Sequence, residues 1–144
     1  MTNVYFSEVA HGDDVLRLAL SAAQLPTDDL GGPDQLFFTL SNGNGLIGFI
    51  GLEGTGPDRL LRSLVVLPSQ RGRGYGRTLV ERLEKVVEGA VDRLHLVTTG
   101  PAPFFRELGY VEADRSEAPA GITATAQFTS LCGPRATYLV KDLR

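Results

Sequence analysis

Arginine and glycine alternate in one short segment of the chain, which reads RGRGYGR. A helix start follows it, and arginine at a helix N-terminus is unfavourable unless an anion binds, because the terminus itself carries a partial positive charge. Glycine lets the backbone N–H groups approach such an anion closely, and guanidinium groups supply charge. The plainer alternative is a tight turn that carries solvated arginines. The residues predicted to form a phosphate site are Arg71, Gly72, Arg73, Gly74, Tyr75, Gly76 and Arg77.

The sequence on either side of this segment predicts a strand before it and a helix after it. Residues 60–67 form a nearly continuous apolar run, typical of a buried strand, and Pro68 ends that run. Apolar residues then recur at positions 79, 80, 83, 86 and 87, which places one apolar stripe along a helix. The glycine spacing fits neither G-x-x-x-x-G-K-S/T nor G-x-G-x-x-G, so these two phosphate loops are excluded.

Two motifs give most of the chain a resemblance to the GNAT N-acetyltransferases. Arg71-x-x-Gly74-x-Gly76, after a strand that ends in Val-x-Pro, resembles the coenzyme A pyrophosphate loop of that family. The second motif resembles the family's FY-x-x-x-GF segment and comprises Phe104, Phe105, Leu108, Gly109 and Tyr110. Shorter stretches are most similar to the arsenic-resistance N-acetyltransferases, namely residues 51–53, 60–66, 96–99 and 128–134. The acetyltransferase domain of N-acetylglutamate synthases is a more distant likeness.

The resemblance implies a fold, a co-substrate and a reaction. The fold class is α/β (α+β), the GNAT acyl-CoA N-acyltransferase fold, with a central mixed, mostly antiparallel sheet and helices on both faces. The co-substrate is acetyl-CoA, whose thioester a substrate amine attacks directly within a ternary complex. Backbone N–H groups at Leu64, Val65 and Val66 would hold pantetheine and stabilise the tetrahedral oxyanion.

The chain departs from the resembled family at both proton-transfer positions. Some relatives carry a base glutamate where this chain has Leu60, and a tyrosine acid where it has Phe105. Phe105 is therefore expected to pack against the coenzyme or the core, and Tyr110 is more typical of a core residue than of a replacement acid. A thiolate with a pKa of about 8.5 is a tolerable leaving group, so these departures do not exclude catalysis.

Charged and hydroxyl residues near the expected acceptor site leave several roles open. Glu53 is the remaining candidate for the base, and the alternative is a structural ion pair with Arg62. A third possibility is that Glu53 meets the substrate ammonium while Arg62, aided by Ser63, binds a carboxylate bidentately. Thr98 and Thr99 are candidates for contact with the substrate or the coenzyme, and the plainer alternative is that they cap the next helix.

Composition excludes several other classes of function. The chain has 144 residues, a net charge of -3 and no apolar run near the length of a membrane span, which predicts one domain over residues 1–144 without nucleic-acid or membrane partners. No secretory signal is visible at the N-terminus, so a cytoplasmic location is expected, as a monomer or homodimer. Cys132 is the single cysteine, and it is expected to be inert rather than to bind arsenic. No metal site is predicted, since His11 and His95 are far apart in sequence.

The element order expected from the pattern is strand, helix, three antiparallel strands, the central helix, strand, helix and two strands. The Asn42-Gly43-Asn44-Gly45 turn predicts a hairpin between residues 36–41 and 46–53. A helix over 101–109 and strands over 110–115 and 136–140 complete the order. The leading functional hypothesis is an N-acetyltransferase acting on a small amine, an amino acid or amino-acid-like toxicant. The alternatives are a non-catalytic acyl-CoA-binding module and a protein N-acetyltransferase.

Overall fold

The computed structural model describes residues 3–100, 102–129 and 136–144. The strands of this part of the chain are β1 (Val4–Val9), β2 (Gln35–Asn42), β3 (Gly45–Glu53), β4 (Asp58–Val66), β5 (Arg93–Thr98), β6 (Val111–Glu112) and β7 (Thr137–Asp142). The helices are α1 (Asp14–Ala22), α2 (Tyr75–Val87), α3 (Ala102–Glu107), α4 (Ala120–Thr123) and α5 (Ala126–Thr129). Within these ranges no helix is long and apolar enough to cross a membrane.

One sheet contains all seven of these strands in the order β1-β2-β3-β4-β5-β7-β6. Only β4 and β5 pair in parallel, and the other five pairings are antiparallel. The predicted hairpin is present between β2 and β3, where the Asn42 side chain accepts a hydrogen bond from the Asn44 amide. The sheet is therefore mixed and mostly antiparallel, as expected.

Helices cover both faces of this sheet, each through an apolar stripe. On one face, α1 packs Leu16 and Leu20 against Phe37, Phe49 and Val65. On the opposite face lie the buried residues of α2, together with α3 and the alternate side chains of the strands. The α2 side chains on that face are Leu79, Val80, Leu83 and Val87. The two-residue period of the strands thus separates two cores.

The two parallel strands separate soon after they begin. Pairing between β4 and β5 extends only from Asp58–Arg93 to Leu60–His95, although both strands continue beyond these residues. In β4, Ser63 and Leu64 together stand opposite Ile50, which is a β-bulge, and Ser63 has a φ of 60°. A bulge bends its strand and releases ladder pairing. The bulge and the separation together open a cleft between β4 and β5.

A buried hydrogen-bonded network joins three strands at the closed end of this cleft. His95 Nε2 lies 2.7 Å from Asp58 Oδ1, and its Nδ1 lies 2.7 Å from the Tyr138 hydroxyl. Burial lowers the pKa of His95 despite the nearby Asp58 carboxylate. Burial would raise the pKa of Asp58, but hydrogen bonds from His95 and Arg93 outweigh it and lower that pKa. A neutral His95 beside an ionised Asp58 must donate from Nε2 and accept at Nδ1 from Tyr138.

Acidification from pH 7 to pH 5 is expected to destabilise the protein through His95. Because the folded-state pKa is below the unfolded value of about 6.5, the unfolded chain binds more protons in this range, so stability falls as pH falls. Melting temperatures across this range should therefore decline for the parent chain and for a His11→Asn control. The decline should be smaller for His95→Asn, and an equal slope in that variant would contradict the assignment.

The structure corrects several element boundaries. The helix predicted over 101–109 spans Ala102–Glu107, with Gly109 at φ 96° just beyond it, and Pro101 lies outside the described residues. The strand predicted over 110–115 is only Val111–Glu112, because the chain pairs with β7 there and then turns at Asp114, whose side chain caps a short 3-10 turn. The segment after Pro26 forms turns, and residues 119–129 hold two short helices.

Candidate functional site

A cleft of about 860 Å³ lies between β4 and β5 and extends to the start of α2. The predicted site residues that line it are Arg62, Ser63, Leu64, Val65, Val66, Arg71, Gly76, Thr98, Thr99 and Phe105. These residues come from two strands, a loop and two helices, so the fold brings together side chains that are far apart in the sequence. Glu53 does not line the cleft.

A second cavity of about 290 Å³ lies over the arginine–glycine loop. Its lining includes the predicted phosphate residues Arg71, Gly72, Gly74, Tyr75, Gly76 and Arg77. Both cavities share Val66, Arg71, Gly76 and Phe104, so they adjoin at the start of α2. Arg73 lines neither cavity. An extended ligand could therefore occupy the loop and the cleft together.

The loop presents a helix N-terminus without a partner for its backbone amides. Gly74 is the N-cap of α2 in the left-handed conformation, at φ 80°, and gives no side-chain cap. The first turn contains no acidic residue, and the amides of Tyr75, Gly76 and Arg77 have no acceptor among the described residues. Such amides, aligned with the helix dipole, form an anion site. The expectation of a helix start after RGRG is confirmed.

The arginines of the loop are exposed and available to an anion. Arg71 donates from Nε to the Val66 carbonyl at 3.1 Å, which places its guanidinium where the two cavities adjoin. Arg77 lies 3.9 Å from Glu81, a weak surface pair. Net negative charge elsewhere on the chain leaves this loop as a local basic site rather than part of a broad basic surface.

The backbone of β4 directs polar groups into the cleft. The Leu67 amide donates to the Ile47 carbonyl at 2.8 Å, so the two-residue alternation of an antiparallel ladder turns the Val66 amide and carbonyl away from β3. The Arg71 contact with the Val66 carbonyl agrees with this direction. Beyond Leu60, β5 no longer pairs with β4, so strand amides on this side are available for a ligand.

Arg62 is buried in an ion-pair cluster that the sequence predicts only in part. Its Nη1 lies 2.7 Å from Glu53 Oε1, which confirms the proposed pairing, and its Nε donates to Ser63 Oγ at 3.1 Å. Asp29 adds a bidentate contact, 2.6 Å to Nη1 and 2.8 Å to Nη2. The Arg62 side chain is 0% exposed, and those of Asp29 and Glu53 are 14% and 11% exposed. The guanidinium is therefore already occupied by groups of its own chain.

The charges of this cluster do not cancel. One guanidinium and two carboxylates sum to a net charge of -1. Burial would lower the pKa of Arg62, but hydrogen bonds to Asp29 and Glu53 outweigh burial and raise it, so the guanidinium stays charged. A cluster of net negative charge favours a cation nearby over an anion.

The aromatic residues near the cleft pack together. Phe105 is 6% exposed and makes edge-to-face contacts with Phe104 and Tyr110, at centroid distances of 5.0 and 5.9 Å. The Tyr110 hydroxyl donates to Glu84 at 2.9 Å, and burial together with Glu84 raises the pKa of Tyr110. Tyr110 does not line the cleft, so the structure supports its role as a core residue. No tyrosine takes the place of the missing acid among the residues that line the cleft.

Two polar side chains that line the cleft were not predicted from the sequence, those of Gln24 after α1 and Gln127 on α5. A glutamine in a loop or short helix carries no spacing signal, so nothing in the sequence pattern singles them out. Thr98 accepts a hydrogen bond from the Gly100 amide at 3.0 Å, so it stabilises the turn before α3, while Thr99 is exposed. The prediction for Cys132 lies outside the described residues, and His11 is exposed.

Comparisons with known proteins agree with this geometry. A family model described as "Acetyltransferase (GNAT) domain" matches residues 33–112. N-acetylglutamate synthase from Neisseria gonorrhoeae, solved with coenzyme A and N-acetyl-glutamate, is 20% identical with a TM-score of 0.79; the alignment covers 100% of this chain and 36% of that one. The chain thus spans about a third of that relative's length.

Two further solved structures match over nearly their whole lengths. A GNAT-family acetyltransferase from Staphylococcus aureus is 17% identical with a TM-score of 0.72, covering 99% of this chain and 100% of that one. A Mycobacterium tuberculosis protein solved in complex with CoA is 16% identical with a TM-score of 0.76, covering 97% and 99%. A search of the curated proteins finds no match. Since the family model covers more than half of the chain, including the loop and the bulged strand, the chain belongs to the GNAT acetyltransferase family.

Proposed function

We propose that this chain transfers an acetyl group from acetyl-CoA to the amine of a small molecule. The observation that carries the proposal is the continuity between the loop cavity, with its unpaired helix amides, and the cleft between β4 and β5. The loop suits a pyrophosphate, and the cleft suits a pantetheine arm and an acceptor. The N-acetylglutamate synthase and the Mycobacterium tuberculosis protein that resemble this chain were both solved with coenzyme A.

The residues of the chain divide the work of this reaction. Arg71 and the α2 amides hold the pyrophosphate, while the free edge of β4, where the Val66 amide faces away from β3, holds pantetheine and the acetyl oxygen. The amine lone pair attacks the carbonyl carbon, a C–N bond forms, the C–S bond breaks, and the thiolate leaves. A preorganised amide donor at the developing oxyanion typically accelerates such a step about 10² to 10³-fold.

Proton transfer in this scheme relies on few side chains. Glu53 is the carboxylate proposed as base, but its oxygen lies 2.7 Å from Arg62 and it does not line the cleft. A structural role for Glu53 is therefore better supported than a catalytic one, and the amine then loses its proton through an ordered-water route. The leaving thiolate needs no strong acid, because its pKa is only about 8.5.

The acceptor is either an amino-acid-like amine whose carboxylate would have to displace Asp29 from Arg62, or an amine without a carboxylate. We further propose that the chain is a single domain that functions in the cytoplasm as a monomer or homodimer. We also propose that it is related to the arsenic-resistance acetyltransferases. The cleft size suits a small acceptor better than a protein segment, which argues against protein acetylation.

Thiol release from acetyl-CoA in the presence of a panel of small amines tests the proposed function. We expect amine-dependent release of coenzyme A and an N-acetylated product that mass spectrometry detects. Calorimetry with acetyl-CoA alone provides the control. Tight binding without turnover on any amine would instead support a non-catalytic acyl-CoA-binding module.

Phe105→Tyr is expected to retain turnover and to raise kcat. The residue lines the cleft at the position where relatives place their acid, so an added hydroxyl can reach the leaving thiolate. A matched control is Phe6→Tyr, which adds the same hydroxyl to a half-buried ring stacked on Phe38 outside the cleft. Steady-state kinetics that show a folded but inactive Phe105→Tyr would indicate that packing, not proton donation, limits this position.

A further inference from the structure

Gln24 ends α1 in a conformation that ordinarily selects glycine. Its amide bonds the Ser21 carbonyl at 3.0 Å and the next amide, of Leu25, bonds the Leu20 carbonyl at 2.9 Å, which together form a Schellman motif. Gln24 has a φ of 59° at the left-handed position of this motif. Glycine adopts that conformation without steric cost, whereas glutamine does not. The helix end therefore does not explain why a glutamine is present.

The side chain of Gln24 has no structural partner that would explain it. The side chain of Gln24 is exposed and lines the cleft, and its carboxamide group makes no hydrogen bond to any described residue. Gln127 on α5 is half-buried and lines the same cleft, and its carboxamide group likewise makes no hydrogen bond to a described residue. Backbone strain tends to occur at functional sites, where a side chain is needed in spite of its cost. A second strained residue, Ser63, also lines the cleft.

Apart from Arg62 and Arg71, the polar side chains of the described residues that line the cleft are neutral. They belong to Gln24, Ser63, Thr98, Thr99 and Gln127. Arg71 lies in the loop, and the side chain of Arg62 is fully buried and held by two carboxylates. Arg62 is therefore not a free cation for a substrate carboxylate, and the formal charge of -1 on its cluster would not attract an anion. Amide and hydroxyl side chains instead pair with neutral hydrogen-bonding groups.

We propose that Gln24, together with Gln127, binds the acceptor, and that this acceptor is an amine that carries hydroxyl or amide groups and no carboxylate. The inference rests on the proposed acetyl transfer and names the substrate class of the same site. Gln24 acts here as a specificity-determining residue, and α1 accepts the strain at its C-terminus to present the side chain.

Gln24→Gly and Gln24→Ala test the proposal as a pair. Both substitutions remove the side-chain carboxamide. Both should therefore raise KM for an amino-acid amide substrate about 5- to 10-fold, which is the effect of losing one or two neutral hydrogen bonds. Neither should change kcat or the KM for acetyl-CoA by much. Only Gln24→Gly relieves the backbone strain, and it should raise the melting temperature by roughly 2–5 °C. A purely structural Gln24 would change the melting temperature without changing KM.

Asp34→Gly is the matched control. Asp34 also has a positive φ, 60°, but lies outside the cleft, so its replacement should raise the melting temperature and leave both KM values unchanged. The charge preference of the acceptor site is tested by measuring KM for an amino acid and for its amide. Each KM is corrected for the fraction of the substrate whose amine is neutral. Better use of the free acids, or unchanged KM in both Gln24 variants, would overturn the proposal.

Calorimetry of the same amine pairs on the complex with coenzyme A repeats the comparison without turnover. Preferential binding of the amides, lost in both Gln24 variants, would support the site even if the chain acetylates nothing. If the parent chain acetylates amines and both Gln24 variants do so with the same KM, the proposed function stands and only the role of Gln24 is rejected.

Discussion

Gly74→Val is expected to weaken acetyl-CoA binding about 100-fold while leaving the fold intact. Gly74 caps α2 at φ 80°, a conformation that a β-branched residue does not readily adopt, so the loop must rearrange. Rearrangement misdirects the amides of Tyr75, Gly76 and Arg77. Hydrogen bonds to a charged group contribute roughly 1.5–3 kcal/mol each, so losing one or two of them accounts for this factor.

The matched control lies just beyond the other end of the same helix. Gly89 has a φ of 84°, and, as at Gly74, a side chain there would meet no atom within 4 Å. Gly89→Val therefore carries a similar backbone strain without touching the loop, and it should lower the melting temperature without changing affinity. Calorimetry with acetyl-CoA on both variants separates the two effects. Equal affinities in the two variants would refute the phosphate assignment of the loop.

The loop could be predicted from the sequence because its signal is local. A buried strand, alternating glycines and a helix with one apolar stripe all lie within about thirty residues, and each follows from spacing alone. The structure adds what spacing does not show, such as Gly72 and Gly74 at positive φ and Arg71 bonded to the Val66 carbonyl. It also shows that Arg73 lines neither cavity, which nothing in the RGRGYGR pattern indicates.

The acceptor side could be predicted only where partners lie on neighbouring strands. Glu53 and Arg62 are close because β3 and β4 form an antiparallel pair, which the sequence indicates. Asp29 comes from a turn-rich segment 33 residues before Arg62, and no local pattern places it against the guanidinium. The sequence does not single out Gln24 either, because its distinguishing feature is a positive backbone φ, which the structure alone shows. The predicted length of β6 was too long for a related reason: this length is set by pairing with β7, which is distant in sequence.

Arg62→Leu is expected to be the most destabilising of the substitutions considered. The change leaves Asp29 and Glu53 as two neighbouring, mostly buried carboxylates without their shared counter-ion. Removing one partner of a buried ion pair typically costs about 3–5 kcal/mol, which for a domain of this size lowers the melting temperature by roughly 10 °C or more. The Ser63 hydroxyl also loses its donor at the bulge, where the strand is strained.

Neutralising the stranded carboxylates separates electrostatic from steric effects. The triple variant Arg62→Leu, Asp29→Asn, Glu53→Gln carries no unpaired charge in the cluster and should recover part of the lost stability. The melting temperature of Arg62→Lys should lie between those of the parent chain and Arg62→Leu, because an ammonium cannot bind Asp29 bidentately. Thermal melts of the four proteins check this order. Failure of the triple variant to recover any stability would mean that lost packing against Phe37 dominates.

The same variants decide between the two roles that the sequence left open for Arg62. If the cluster is structural, Arg62→Lys should change KM for amino acids and for their amides by the same factor. The reason is that both substrates bind in the same cleft, which the substitution makes less rigid. If Arg62 binds a substrate carboxylate, KM should rise for the amino acids alone. The structure favours the first result, since four hydrogen bonds to Ser63, Asp29 and Glu53 already occupy the guanidinium. A selective rise for carboxylate-bearing amines would show that a substrate displaces Asp29, and it would overturn the neutral-acceptor assignment together with the structural role.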